Sequence, residues 1–257
     1  MSYFDAIILG LIQGLTEFLP VSSSGHLVLT EHLLHVNLPG VVFELIVHIG
    51  TLLAVLVYFR KNILLLIKAL FDKSLIDERK MILYLIVGTI PAVIVALLFD
   101  DYIESAFGSP LVTSVMLTVT GGILLVTAIV RKKDGGIKAP NAIIIGCAQA
   151  LAIFPGISRS GSTIAAGMFA GVTPVKAAEF SFLLSIPAIT GALVFKIKNI
   201  MMIDSSMIGQ YAVGAAVSFL SGLMAVYFLL SVVRKGKLQY FGIYCIFAGL
   251  LGIRYFM

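Results

Sequence analysis

Residues 6–25 read AIILGLIQGLTEFLPVSSSG, and 136 positions later residues 142–161 read AIIIGCAQALAIFPGISRSG. Laid on each other without a gap, the two stretches are identical at 10 of 20 positions, among them Gln13/Gln149, Phe18/Phe154, Ser22/Ser158, Ser24/Ser160 and Gly25/Gly161. Glu44 and Glu179 also correspond after a one-residue slip. Apolar segments resemble one another by chance, but chance does not align their polar positions, so the pair reads as an internal repeat. Proline, glycine and serine break both copies midway, leaving halves of about 10–15 residues. A bilayer core about 30 Å thick needs roughly 20 residues of helix. No half is long enough to cross alone.

The composition places these broken segments in a membrane. Of 257 residues, 60% are hydrophobic and 12% charged, with a mean hydropathy of +1.08. Soluble domains carry roughly 45–50% apolar and about 25% charged residues, so this chain has too few charges to cover a surface in water. Disorder, collagen, coiled coil and disulfide scaffold are excluded by the same values. Cys147 and Cys245 lie in apolar runs and suggest neither a disulfide framework nor a zinc site. The net charge of +5 sits in short loops and reads as a topology signal, not a nucleic-acid footprint. The first apolar run leads straight into a polar motif, which argues against a cleavable signal peptide.

Six runs are long enough to span: about 41–60, 81–99, 111–130, 174–196, 207–230 and 238–256. Loop 60–80 carries Arg60, Lys61, Lys68, Lys73, Arg79 and Lys80; loop 131–138 carries Arg131, Lys132, Lys133 and Lys138; 234–237 carries Arg234, Lys235 and Lys237. Loop 100–109 holds Asp100, Asp101 and Glu104 and no base. Basic short loops stay in the cytoplasm, which puts three loops inside, the acidic one outside, and both termini outside. Alternation then requires segments 5–36 and 139–171 each to enter and leave on one face. The expected fold is an all-α polytopic membrane protein: a single domain built as an inverted-topology repeat, with six transmembrane helices and two re-entrant helical hairpins. Repeat 1 covers about 1–130 with hairpin 5–36, and repeat 2 about 139–257 with hairpin 139–171. Irregular backbone at membrane depth is tolerated only beside protein or a watery cavity, and in inverted repeats the site lies at the repeat interface near the midplane.

The tips carry the chemistry. Arg159 costs roughly 2.5–3.5 kcal/mol at membrane depth unless it meets a partner or water, and its planar fork suits bidentate contact with phosphate. It lies in PGISRSGST (155–163), where Gly156 breaks the helix and Ser158, Ser160 and Thr163 supply hydroxyls. LPVSSSGH (19–26) has the same form, with Ser22, Ser23, Ser24 and Gly25 ahead of His26. Serines before a new helix cap it, and free N–H groups with the helix dipole favour an anion. Two such termini and an arginine make a phosphate cradle. The plainer reading is that the serines only cap their own helices and Arg159 pairs with Glu17; capping alone, however, does not call for an intramembrane arginine. Glu17 can hold a divalent cation, neutralise Arg159 or accept a proton, and Gln13 lies one turn earlier on the same face. Magnesium and calcium, which take oxygen ligands, fit such a site. His26 is the histidine at a tip, suited to nucleophilic or acid–base work; His32, His35 and His48 read as structural.

The runs QGLTE (13–17), FLPVSSSGH (18–26) and PGISRSGST (155–163) resemble the signature segments of the undecaprenyl-diphosphatase family, the bacitracin-resistance proteins. The resemblance extends over essentially the whole chain, and the last run fits the pattern P-G-x-S-R-S-x-x-T throughout. It implies a metal-dependent enzyme of the bacterial inner membrane, opening to the outer face, that removes the terminal phosphate of undecaprenyl diphosphate. That reaction regenerates the lipid carrier of peptidoglycan synthesis and confers bacitracin resistance. The resemblance further implies catalysis by Glu17, His26 and Arg159, with Ser23, Ser158 and Thr163 around the phosphates. Many members carry glutamate where this chain has Gln13; an amide supplies no second negative charge, although the family pattern tolerates it. The expected attack is by His26, or by Ser23 or water with His26 as base. The expected partners are a polyprenyl diphosphate lipid and the bilayer, with a homodimer allowed. The alternative is a polyprenyl-phosphate transporter or flippase using the same anion cradle.

Overall fold

The computed structural model describes residues 1–34, 42–130, 134–197 and 205–257; the expectations placed on His35, Arg131, Lys132 and Lys133 lie outside them. Twelve α-helices form among the described residues: α1 Tyr3–Phe18, α2 Ser23–Leu34, α3 Val42–Tyr58, α4 Arg60–Phe71, α5 Ile76–Leu98, α6 Asp100–Phe107, α7 Pro110–Val126, α8 Ala139–Leu151, α9 Arg159–Phe169, α10 Pro174–Phe195, α11 Ile208–Arg234 and α12 Gln239–Phe256. No strand forms among these residues; Gly135 and Val172 make a lone bridge.

Four helices are long and apolar enough to cross a membrane: α5, α10, α11, and α7 with its short continuation to Ile129. The run at 41–60 becomes the 17-residue α3, which meets α4 at a 79° bend; counted as one bent span, the pair brings the number to five. The run at 238–256 becomes α12, 18 residues that include Gln239 and Arg254. Two stretches read as loops are helical. Residues 60–71 alternate Arg60, Lys61 and Lys68 with exposed Leu64, Leu65, Ile67 and Leu70, an amphipathic pattern at helical spacing. Residues 100–107 form α6, with Asp100 and Asp101 in its first turn, where the helix dipole favours negative charge.

Close contacts through small residues hold the helices together, as expected where lipid removes the hydrophobic incentive to associate. Helix α1 runs along α11, α3 along the same helix, α8 along α5, and α7 along α12. A Cβ added to Gly10 would stand 2.5 Å from the Gly214 carbonyl, and one added to Gly146 would stand 2.6 Å from the Gly88 carbonyl. Those two glycines occupy equivalent positions in the repeated stretches. The largest apolar cluster joins α1, α3, α9, α10 and α11 around Phe18, Phe59, Phe182 and Leu229. Phe18 and Phe182 pack edge to face with centroids 5.6 Å apart, fixing the end of α1 against the middle of α10.

Candidate active site

The two breaks in the repeated stretches are built alike. Ser22 caps α2, its Oγ accepting from the Gly25 N–H at 3.2 Å; Ser158 caps α9, its Oγ accepting from the Gly161 N–H at 3.1 Å. A second hydroxyl lies beside each cap, Ser24 at 3.4 Å from Ser22 and Ser160 at 3.2 Å from Ser158. The tips touch: a Cβ on Gly25 would be 3.0 Å from the Gly156 Cα. Gly156 holds φ +92°, and a Cβ there would stand 2.2 Å from the Thr113 carbonyl. Thr120 ties this tip to α7, donating from Oγ1 to the Gly156 carbonyl at 2.8 Å and accepting from the Ser158 N–H at 3.0 Å. Ser22 holds a left-handed φ of 67°, sparsely populated for a side-chain-bearing residue and typical of functional turns.

Glu17, at the end of α1, is the hub. It is 8% exposed. Ser23 donates to its Oε2 at 2.6 Å and Gln13 Nε2 donates to the same oxygen at 3.1 Å. Arg159 forms an ion pair with Oε1. Ser23 and Arg159 are the first residues of α2 and α9 and occupy equivalent repeat positions, so both tips point their leading side chain at one carboxylate. Arg159 Nη1 also donates to the Ser181 carbonyl at 3.4 Å; the two contacts occupy two of its five N–H groups and leave the others for an incoming anion.

These groups line a cleft of about 260 Å³ whose walls include Glu17, Ser22, Ser23, Ser24, Ser158 and Arg159. Apolar side chains on the C-terminal half of α10, with Phe107 of α6, also line it. Lys196, just past α10, sits 3.8 Å from Asp100 of α6. The arrangement offers an anion two capped helix ends and a guanidinium, with a carboxylate holding a hydroxyl group beside them.

The remaining expected residues sit around this cleft without lining it. Gln13 is fully buried behind Glu17, and its Oε1 has no hydrogen-bond partner. Gly25 and Gly156 form the tip contact itself. Ser160 donates to the Leu19 carbonyl at 3.1 Å and Thr163 lies 2.6 Å from the Ser181 hydroxyl; both brace the tips against neighbouring backbone and helices. His26 faces the other way. Its Nδ1 bonds the Ser22 carbonyl at 2.8 Å, its Nε2 meets the Tyr244 hydroxyl at 2.7 Å, and its ring stacks on Tyr244. Ser23 and His26 are three residues apart, a spacing that shares one face of a helix, but the first turn of α2 sends Ser23 to Glu17 and His26 to α12.

Among the described residues the histidine that does line the cleft is His48, read from sequence as structural. Its Nε2 stands 3.6 Å from Glu17 Oε2. The available signal was the E-x-x-x-H spacing of Glu44 and His48, which puts both on one face of α3; Glu44 lines the cleft too. Ser181 and Thr120 were also missed, since only the fold brings α10 and α7 to the tips. Among the described residues no three His, Cys, Asp or Glu side chains gather into a metal cage. A cation here would rely on Glu17 with amide, hydroxyl, water and substrate oxygens, the habit of magnesium, and the orphaned Gln13 oxygen fits that requirement.

Known proteins match nearly the whole chain. It is 45% identical to an undecaprenyl-diphosphatase of Syntrophotalea carbinolica over 251 residues, covering 95% of each chain. A Bacteroides thetaiotaomicron protein of the same name is 42% identical over 97% of each. One from Salinibacter ruber is 39% identical over 98% of this chain and 99% of its own. Residues 6–251, which include both serine-capped tips and the Glu17–Arg159 pair, match the family described as "Bacitracin resistance protein BacA", and the chain belongs to that family.

Proposed function

We propose that the protein hydrolyses undecaprenyl diphosphate to undecaprenyl phosphate and inorganic phosphate, returning the lipid carrier to peptidoglycan synthesis and giving resistance to bacitracin. The observation that carries this reading is the single carboxylate gripped from both tips, with Ser23 on one oxygen and Arg159 on the other. A hydroxyl held 2.6 Å from a buried carboxylate suits a phosphotransfer site, because a hydroxyl needs a base within reach to become a nucleophile.

In this mechanism Arg159 and the N–H groups at the starts of α2 and α9 hold the terminal phosphate, and charge stabilisation of this kind supplies most of the rate. The Ser23 oxygen attacks the terminal phosphorus and its proton passes to Glu17 Oε2. The bond to the bridging oxygen breaks, and undecaprenyl phosphate leaves with that oxygen. Water then attacks the phosphoserine, the Ser23 Oγ–phosphorus bond breaks, Glu17 returns its proton to the Ser23 oxygen, and the proton lost by the water leaves with the released phosphate. His26, engaged with Tyr244, positions the first turn of α2. A divalent cation, magnesium or calcium, held by Glu17 and Gln13 would neutralise phosphate charge. Purified protein in detergent should release phosphate from undecaprenyl diphosphate and stop in chelator; transport needs a bilayer, so absence of phosphate release would sink the hydrolase reading.

The same proposal includes the architecture inferred from charge: an inverted repeat of six spans with hairpins α1–α2 and α8–α9 re-entrant, in the bacterial inner membrane with the cleft facing out. Its supports are the matched caps, the crossed packing of α1 on α11 and α8 on α5, and the place of Phe107, from the acidic helix, in the wall of the cleft.

A further inference from the structure

We propose that His48 is a ligand of the divalent cation, completing with Glu17 and Gln13 a mixed nitrogen–oxygen site. The inference rests on the cation dependence proposed above and adds a ligand to it.

Three observations converge on this imidazole. First, its Nδ1 lies 2.6 Å from the Glu44 carbonyl. A carbonyl only accepts, so Nδ1 carries the proton and the neutral ring presents its lone pair at Nε2. Metal-ligating histidines are held in this way; His26 and His32 make the same contact one turn back, so it fixes the tautomer of His48, and the two observations that follow distinguish it. Second, that lone pair faces an anionic oxygen, Glu17 Oε2, at 3.6 Å. The separation is too long for a hydrogen bond, and two acceptors facing each other repel. It does match the spacing of two ligands on one ion: bonds of about 2.0–2.3 Å at angles of about 90–110° separate ligand atoms by about 2.8–3.8 Å. Third, Gln13 donates its amide N–H to the same Oε2 at 3.1 Å, while its own oxygen is buried with no donor. A buried acceptor without a partner is destabilising, and a cation would relieve that cost.

The alternative occupant of the gap is a proton, which would make His48 an imidazolium paired with Glu17. But Glu17 already receives Arg159, Ser23 and Gln13. The cation reading also explains the orphaned Gln13 oxygen, which an imidazolium leaves untouched.

An imidazole changes which ion the site prefers. Calcium and magnesium take oxygen ligands, whereas nitrogen favours first-row divalent ions. His48 therefore biases the site toward Mn²⁺ over Ca²⁺.

The test uses the full-length protein in detergent with Mn²⁺ alone. Pulsed electron paramagnetic resonance should detect ¹⁴N modulation from a bound ring nitrogen, changing in character when histidine is supplied as ¹⁵N. His48→Gln should abolish the modulation and weaken Mn²⁺ binding at least about tenfold, since losing even an outer-shell partner costs about 10- to 100-fold. Ca²⁺ affinity should fall less, and His26→Gln should keep the modulation. Thermal midpoints establish that the variants are folded; if His48→Gln is not, ¹⁵N-histidine wild type together with His26→Gln, His32→Gln and His35→Gln decides the assignment by elimination among the four histidines. Bound Mn²⁺ without nitrogen modulation, or modulation that survives His48→Gln, overturns the assignment and leaves the cation reading standing. Absence of Mn²⁺ binding overturns both.

Discussion

Replacing Arg159 by lysine keeps the charge and removes the fork, which separates what this residue does for the fold from what it does for the reaction. In the resting structure the guanidinium spends one N–H on Glu17 and another on the Ser181 carbonyl, so its planar edge is aimed by the protein before substrate arrives. A lysine ammonium can still neutralise Glu17, because a point charge needs no orientation, but it cannot hold that carboxylate and grip two phosphate oxygens together. Loss of one preorganised contact to transition-state charge costs about 2.7–4 kcal/mol, or about 10²–10³-fold in kcat. Arg159→Ala is the contrast. It leaves the Glu17 carboxylate, 8% exposed, without its cation, and breaking a buried pair costs about 3–5 kcal/mol of stability. The expected pattern is a lysine variant with near-native thermal midpoint and a collapsed rate, and an alanine variant that loses both. The assay is phosphate release from undecaprenyl diphosphate in detergent, with thermal unfolding of the same samples. Turnover within about threefold of wild type in Arg159→Lys would refute the reasoning and make Arg159 a structural counter-ion.

Ser23→Ala should abolish turnover and remove the acid-stable phosphoserine otherwise trapped by rapid quenching. His26→Ala should keep that adduct while slowing its formation, because His26 is held against Tyr244 and not in the cleft; an adduct missing from wild type would return the role of nucleophile to His26 or water. Gly156→Ala, forced to φ +92° with its Cβ 2.2 Å from the Thr113 carbonyl, should lose at least the about 1–3 kcal/mol of stability of a strained backbone residue, read as a lowered thermal midpoint by differential scanning in detergent. Cysteines placed at Ser109 and Ser74 on a cysteine-free background should label from outside intact cells at 109 and not at 74; the reverse pattern would invert the orientation proposed from the loop charges.

The sequence by itself determined an apolar, all-helical membrane chain and the places of its two serine-capped breaks. A chain with 12% charged residues has no way to face water, and two breaks matched at Ser22/Ser158 and Gly25/Gly161 announce two like helix starts, because capping is a local affair of a few adjacent residues. Glu17 and Arg159 were legible for a related reason: an ionised group in an apolar run must find a partner. Helix extents were less legible. Charge marked 60–71 as a loop, yet its apolar residues recur at helical spacing and the chain turns 79° into α4. What only the tertiary structure decided is which side chains meet. Ser23 and His26 share a helical face by spacing, but the left-handed turn at Ser22 and the position of Tyr244, 218 residues away from His26, send them apart. His48 looked like one more histidine in an apolar helix until α3 laid it against Glu17. Spacing along a helix fixes only neighbours within a turn or two, whereas the company a buried polar group keeps is set by which helices pack against it, and that depends on close approaches such as Gly10 to Gly214 that no local pattern encodes.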